Sequence, residues 1–148
     1  MSRAGATYYY HTNAHGDVVA VTNAAGEVAN TYRYDPWGRV LEANETVPNA
    51  YRYASYRYDE ATGLYYLWNR WYDAASMRFM TKDPYPGEVA RPATANSYAC
   101  CSDNPIMYAD PVGLLFGGDA GEGYGQQALD YWADKSGPTI PLPRPCTR

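Results

Sequence analysis

Two aspartates are the residues of this chain best suited to chemistry, Asp83 and Asp110, each standing directly before a proline in Asp83-Pro84 and Asp110-Pro111. A glycine follows shortly after each step, at Gly87 and Gly113. Proline fixes its own φ and pushes the preceding residue into extended backbone, so both stretches read as turns that present a carboxylate. Two carboxylates sharing one site cannot both ionise cheaply. One keeps a proton while the other can take one from water, and that division of labour is what hydrolysis of a peptide bond needs. A cation nearby would favour the ionised partner and could bind a developing oxyanion. Arg78 is the first choice for it and Lys82 a weaker one. The same residues also have a plainer use, because Asp-Pro-x-Gly is common turn chemistry and an aspartate caps its own turn. Asp35, Asp59 and Asp73 are read in that plainer way.

The elements that must position the pair are short strands and turns. From Thr7 to Arg33, Tyr8-Tyr9-Tyr10-His11 and Val18-Val19-Ala20-Val21-Thr22 alternate with the turns Asn13-Ala14-His15-Gly16-Asp17 and Asn23-Ala24-Ala25-Gly26-Glu27. This pattern predicts a ladder of β-hairpins. Tyr32-Arg33-Tyr34-Asp35-Pro36-Trp37-Gly38-Arg39 repeats the logic, and Tyr56-Arg57-Tyr58-Asp59 and Arg70-Trp71-Tyr72-Asp73 return to it. Self-similarity at such spacing marks a repeat architecture in which each unit buries its face against its neighbours. The segment 42–49 reads as a polar turn, and Ile106 to Ala109 as a last strand aimed at the second Asp-Pro. Tyr65, Tyr66, Trp68, Trp71, Tyr72 and Phe79 alternate at sheet period and are assigned to packing and a wall or plug rather than a ligand cage, with Asn69-Arg70 a polar interruption.

Composition narrows the function classes. A chain of 148 residues has room for one modest domain, and 17 tyrosines against 2 phenylalanines favour half-wet sheets over an apolar helical core. The net charge of -4, without a basic run, leaves no footprint for nucleic acid. No stretch is long and apolar enough to span a membrane. The N-terminus lacks the apolar core of a signal peptide, which leaves a cytoplasmic location open for this chain alone. Cys100, Cys101 and Cys146 form neither a disulfide framework nor a metal spacing, and His11 and His15 are separated by a turn, so no metal and no cofactor are expected. The glycine-rich run from Leu115 to Gly125 lacks a phosphate-loop lysine. Gln126 to Lys135 reads as a short helix, and Pro138 to Arg148 as a disordered tail.

Tyr32 to Arg39 resembles the tyrosine-aspartate repeat of the Rhs (rearrangement hotspot) proteins. Gly63-Leu64-Tyr65-Tyr66 through Asp110-Pro111-Val112-Gly113-Leu114 resembles the repeat-associated core that ends their shells. The sequence departs from that pattern at Ala74, Met77 and Tyr85-Pro86. The resemblance implies a mostly β chain, an antiparallel hairpin or β-spiral segment of a hollow cocoon, with repeats over 1–62, the core or plug region over 63–114, and a truncated variable region over 115–148. It further implies a core that cuts itself once by an aspartyl mechanism, with Asp83 and Asp110 as the carboxylates and Leu114-Leu115 as the scissile bond. The partners implied are the rest of a shell, or a C-terminal toxin with its immunity protein, in a secreted or envelope-associated parent. Two alternatives stay open: a non-catalytic structural or interaction module of the same fold, and a carbohydrate-binding module.

Overall fold

The computed structural model of the chain describes residues 2–3, 5–85 and 92–114. The expectations for Gly87, Leu115 and the rest of 115–148, including the short helix and the proline-rich tail, lie outside the described residues. The fold is mostly β. Five strands form an antiparallel sheet in chain order: β1 (Ser2–Arg3), β2 (Ala6–Thr12), β3 (Val18–Asn23), β4 (Val28–Tyr34) and β5 (Val40–Glu45). In register, Tyr10 faces Val21, Ala20 faces Thr31 and Tyr32 faces Ala43. A second sheet orders β6 (Arg57–Asp59), β7 (Leu64–Leu67), β8 (Arg70–Asp73) and β9 (Arg78–Phe79). Among the described residues no α-helix is formed, and the remaining regular elements are three short 3-10 turns. The chain divides into two compact units, Met1–Tyr66 with Tyr72–Met77, and Leu67–Trp71 with Arg78–Arg148.

One turn design recurs in the first unit. The side-chain oxygen of Asn13 accepts the N–H groups of His15 and Asp17 at 3.0 and 2.9 Å. Asn23 treats Ala25 and Glu27 in the same way at 2.9 and 3.0 Å, and Asp35 treats Trp37 and Arg39 at 2.9 Å each. Such a side chain replaces the backbone partners that a tight turn cannot supply, which explains why Asn or Asp opens each hairpin connection. Asp59 and Asp73 do likewise with Ala61 and Ala75, in keeping with their reading as turn residues.

Tyrosine fills the first unit's interior because it supplies both apolar area and a donor. Val18, Val21 and Tyr32 form a buried cluster with Tyr8, Tyr10 and Tyr34 packed against it. Consecutive carbonyls of the Asp35 turn, those of Pro36, Trp37 and Gly38, accept hydroxyls from Tyr53, Tyr72 and Tyr65 at 2.8, 2.9 and 2.8 Å. A phenylalanine at Tyr65 would leave the buried Gly38 carbonyl without its partner, a loss of about 1–3 kcal/mol. Burial raises the Tyr65 and Tyr34 hydroxyls well above the usual phenol range, so they serve as donors across all ordinary pH.

Three readings of the sequence need correction. Residues 42–45 are not a turn but the edge strand β5, where Glu42 pairs with Arg33 and Glu45 with Asn30. Its polar composition suits a strand exposed on one side. Residues 106–109 do not form a strand element either. Pro105 offers no N–H, and the Asn104 carbonyl accepts from Met107 and Tyr108 at 3.3 and 3.2 Å, closing a turn instead. Trp68 and Trp71 do not pack inside, being 75% and 39% exposed, whereas Tyr65, Tyr72 and Phe79 are buried.

Candidate active site

Asp110 is the recurrent turn design placed inside the second unit. Its Oδ1 accepts the N–H groups of Val112, Gly113 and Leu114 at 3.3, 2.8 and 3.1 Å. Gly113 sits at φ +75°. Unlike the exposed turns, this carboxylate is only 2% exposed, and its second oxygen faces a buried cation. Asp83 is built in parallel: Oδ1 accepts from the Tyr85 N–H at 2.8 Å, and the Asp83 N–H is tied to the Ser97 carbonyl at 2.8 Å. In both residues Oδ1 serves the turn and Oδ2 is turned to the same guanidinium.

That guanidinium belongs to Arg70, at the start of β8. Its Nη2 lies 2.7 Å from Asp83 Oδ2 and 3.6 Å from Asp110 Oδ2. The two oxygens therefore lie no farther apart than the sum of those distances, on either side of one guanidinium nitrogen. Arg70 also donates through Nε to the Gly113 carbonyl and through Nη1 to the Ser97 carbonyl at 3.2 Å. Its guanidinium carbon stands 3.6 Å over the Phe79 ring. An arginine can satisfy several acceptors from one rigid fork, which a lysine cannot.

The electrostatics pull in two directions. Burial raises Asp83 above the usual carboxylate range, against the lowering effect of the Tyr85 N–H and of Arg70. Burial lowers Arg70 below the ordinary guanidinium value, while Asp83 and Asp110 oppose that shift. The buried Cys100 and Cys101 stand alongside with sulfurs 3.2 Å apart. The Cys100 thiol is pushed upward by its hydrogen bond with the Cys101 thiol, by burial and by the charge of Asp110. It is a neutral neighbour rather than a nucleophile.

The structure thus brings together Asp83, Asp110 and Leu114, whose side chain is buried, and leaves Leu115 outside the described residues. Arg78 and Lys82 are exposed, and neither is in an ion pair with these carboxylates among the described residues. The residue that sequence reasoning passed over is Arg70. A signal was present: Arg70 and Tyr72 share parity in β8, where burial runs buried, exposed, buried, so the arginine had to point inward with the aromatic residue. His11 and His15 are occupied by Thr22 and Asp17 at 2.9 and 2.8 Å. No group of potential ligands that could hold a metal ion occurs among the described residues.

The model of the teneurin YD-shell matches residues 1–106. The chain belongs to the teneurin YD-shell family. The Rhs resemblance carried by Tyr32 to Arg39 and by Gly63 to Leu114 agrees with that membership. Among similar proteins, the tRNA3(Ser)-specific nuclease WapA of Bacillus spizizenii is 44% identical over 112 residues, covering 74% of this chain and 5% of that protein. Double-stranded DNA deaminase toxin A of Burkholderia cenocepacia is 36% identical over 117 residues, covering 76% of this chain and 8% of the toxin. Of solved structures, the TcdB2-TccC3-Cdc42 crystal structure superposes with a TM-score of 0.67 at 25% identity, over 76% of this chain and 5% of that one. This YD-shell chain therefore spans less than a tenth of the length of these three relatives. Among its described residues no helix is long and apolar enough to cross a membrane.

Proposed function

We propose that this chain is the terminal segment of a toxin-bearing YD shell, and that Asp83 and Asp110 cut the Leu114-Leu115 bond once, in cis. In a full-length parent, secreted or attached to the cell envelope, the cut would release a C-terminal toxin from the rest of the shell, and an immunity protein would pair with that toxin. The observation that carries this reading is the convergence of both Oδ2 atoms on Arg70 Nη2, beside a turn whose N–H groups are held by Asp110 up to Leu114.

The chemistry follows from the different surroundings of the two carboxyls. Burial favours a proton on Asp83, and the three N–H groups that Asp110 Oδ1 accepts favour the ionised form of Asp110, which makes it the acceptor. A water oxygen attacks the Leu114 carbonyl carbon, Asp110 takes one proton of that water, and Asp83 gives its proton to the carbonyl oxygen. The tetrahedral intermediate then breaks its C–N bond. The Leu115 nitrogen leaves with the proton held by Asp110, the carbonyl re-forms, and Asp83 regains a proton. Because the bond belongs to the same chain, proximity supplies several kcal/mol without a substrate pocket. Incubating the purified full chain from about pH 4 to about pH 8 and weighing the products tests this, since the reaction needs one carboxyl protonated and the other ionised. A cut after Leu114, lost in Asp110→Asn, supports it.

A second reading has its own observation. Asp35 Oδ1 also accepts the N–H groups two and four residues on, as Asp110 does, so the turn alone fits a structural wall or plug segment. A chain that stays intact across the pH series would leave that reading standing.

A further inference from the structure

The backbone leading to the proposed bond is held from two sides. Asp110 Oδ1 takes the N–H groups of residues 112, 113 and 114. The carbonyls are taken by the turn between β7 and β8: Asn69 Nδ2 donates to the Val112 oxygen at 2.9 Å, and Arg70 Nε donates to the Gly113 oxygen. The same turn closes on residue 113 sterically. A methyl group there would stand 2.6 Å from the Leu67 carbonyl oxygen and 3.2 Å from the Arg70 nitrogen. The next carbonyl along the chain, that of Leu114, belongs to the bond proposed to break.

We infer that the β7–β8 turn is the substrate clamp of this site, with Asn69 and Arg70 as positioning residues that grip successive carbonyls and with glycine required at 113, one residue before Leu114. This rests on the cleavage reading above and adds to it the element that selects and orients the bond. The design explains why the turn tolerates Trp68 at φ +62° with 75% of its surface exposed: the backbone bends so that Asn69 and Arg70 face the 110–114 loop. Placement of a reacting carbonyl is worth large factors in rate, and loss of one holding hydrogen bond is felt in the rate even where the fold survives.

The test uses the full chain and three proteins: wild type, Asn69→Ala and Arg70→Lys. Asn69 is exposed, so its loss leaves the fold intact; lysine retains the cation beside the carboxylates but lacks the Nε donor. Each variant is expected to release the fragment about tenfold more slowly at a temperature where it is fully folded by circular dichroism. The pH-rate profile of Arg70→Lys should keep the wild-type position, since the charge is kept. A residue with only a structural role would lower the melting temperature without slowing the folded protein. Wild-type rates in both folded variants overturn the clamp while cleavage stands. An intact wild-type chain at every pH overturns the cleavage reading and the clamp together.

Discussion

Replacing Arg70 with methionine keeps the bulk of the side chain and removes its charge. In the wild type that charge, 4% exposed, lies 2.7 Å from Asp83 and 3.6 Å from Asp110. Breaking a buried ion pair by removing one partner costs about 3–5 kcal/mol, because the remaining charge stays buried without compensation. Two carboxylates and two carbonyls lose a partner here, so the upper end of that range is expected. Domains of this size are stable by about 5–15 kcal/mol, so the variant should be folded but markedly weakened at neutral pH. The loss has a definite pH dependence. Burial already raises Asp83 from 3.8, so the folded state favours its proton; the stability linked to that group is full below 3.8 and is lost as pH rises through the raised value. Without Arg70 the carboxyls hold their protons more strongly still, and the deficit of the variant should shrink on acidification. Urea unfolding followed by circular dichroism, at about pH 7 and about pH 4.5, measures it directly. An Arg70→Met chain as stable as wild type at neutral pH, or one with the same deficit at both values, would refute the reasoning.

Other consequences are as direct. Gly113→Ala should destabilise by at least about 2 kcal/mol more than Gly26→Ala, because both residues have positive φ but only residue 113 has backbone within 3 Å of an added methyl; chemical denaturation compares them. Asn30, 1% exposed, donates to the Val47 carbonyl at 2.7 Å and accepts from the Thr46 and Val47 N–H groups at 3.0 and 3.1 Å, so Asn30→Ala should cost about 2–4 kcal/mol in the same assay. Asp17 is held below its ordinary value by hydrogen bonds from His15, the Ala54 N–H and Asn13, which outweigh the opposing effect of burial. Its stabilisation is present above 3.8 and lost as pH falls through the lowered value. Thermal melts of Asp17→Asn and wild type should therefore differ near neutrality and converge in acid.

Much of the fold was legible because turn chemistry is local. Asn13, Asn23 and Asp35 each use their own side chain to close the turn they open, so residue type and glycine spacing suffice to place the hairpins. The edge strand β5 was missed because its cues are not local: Glu42 to Glu45 become strand only through pairing with Asn30 to Arg33. The turn at 105–108 deceived in the opposite direction, its apolar Ile106 and Met107 being 71% and 66% exposed. The carboxylates were found from their Asp-Pro steps. Their cation was sought near them in sequence, at Arg78 and Lys82, whereas the ion pairs join residues far apart along the chain. Spacing carries no information on that; the inward parity of Arg70 in β8 does. Similarly, the excess of tyrosine hinted at wet sheets, but only the fold reveals that three hydroxyls serve one turn, at Pro36, Trp37 and Gly38.

The most direct test of hydrolysis by the paired carboxylates is to let the full chain mature in heavy-oxygen water and to weigh the N-terminal product. A fragment ending at Leu114 that carries at least one heavy oxygen in its new carboxyl group, and that is absent from Asp83→Asn and from Asp110→Asn, is the expected result. An uncut wild-type chain, or a cut that persists when either aspartate is replaced, would contradict it.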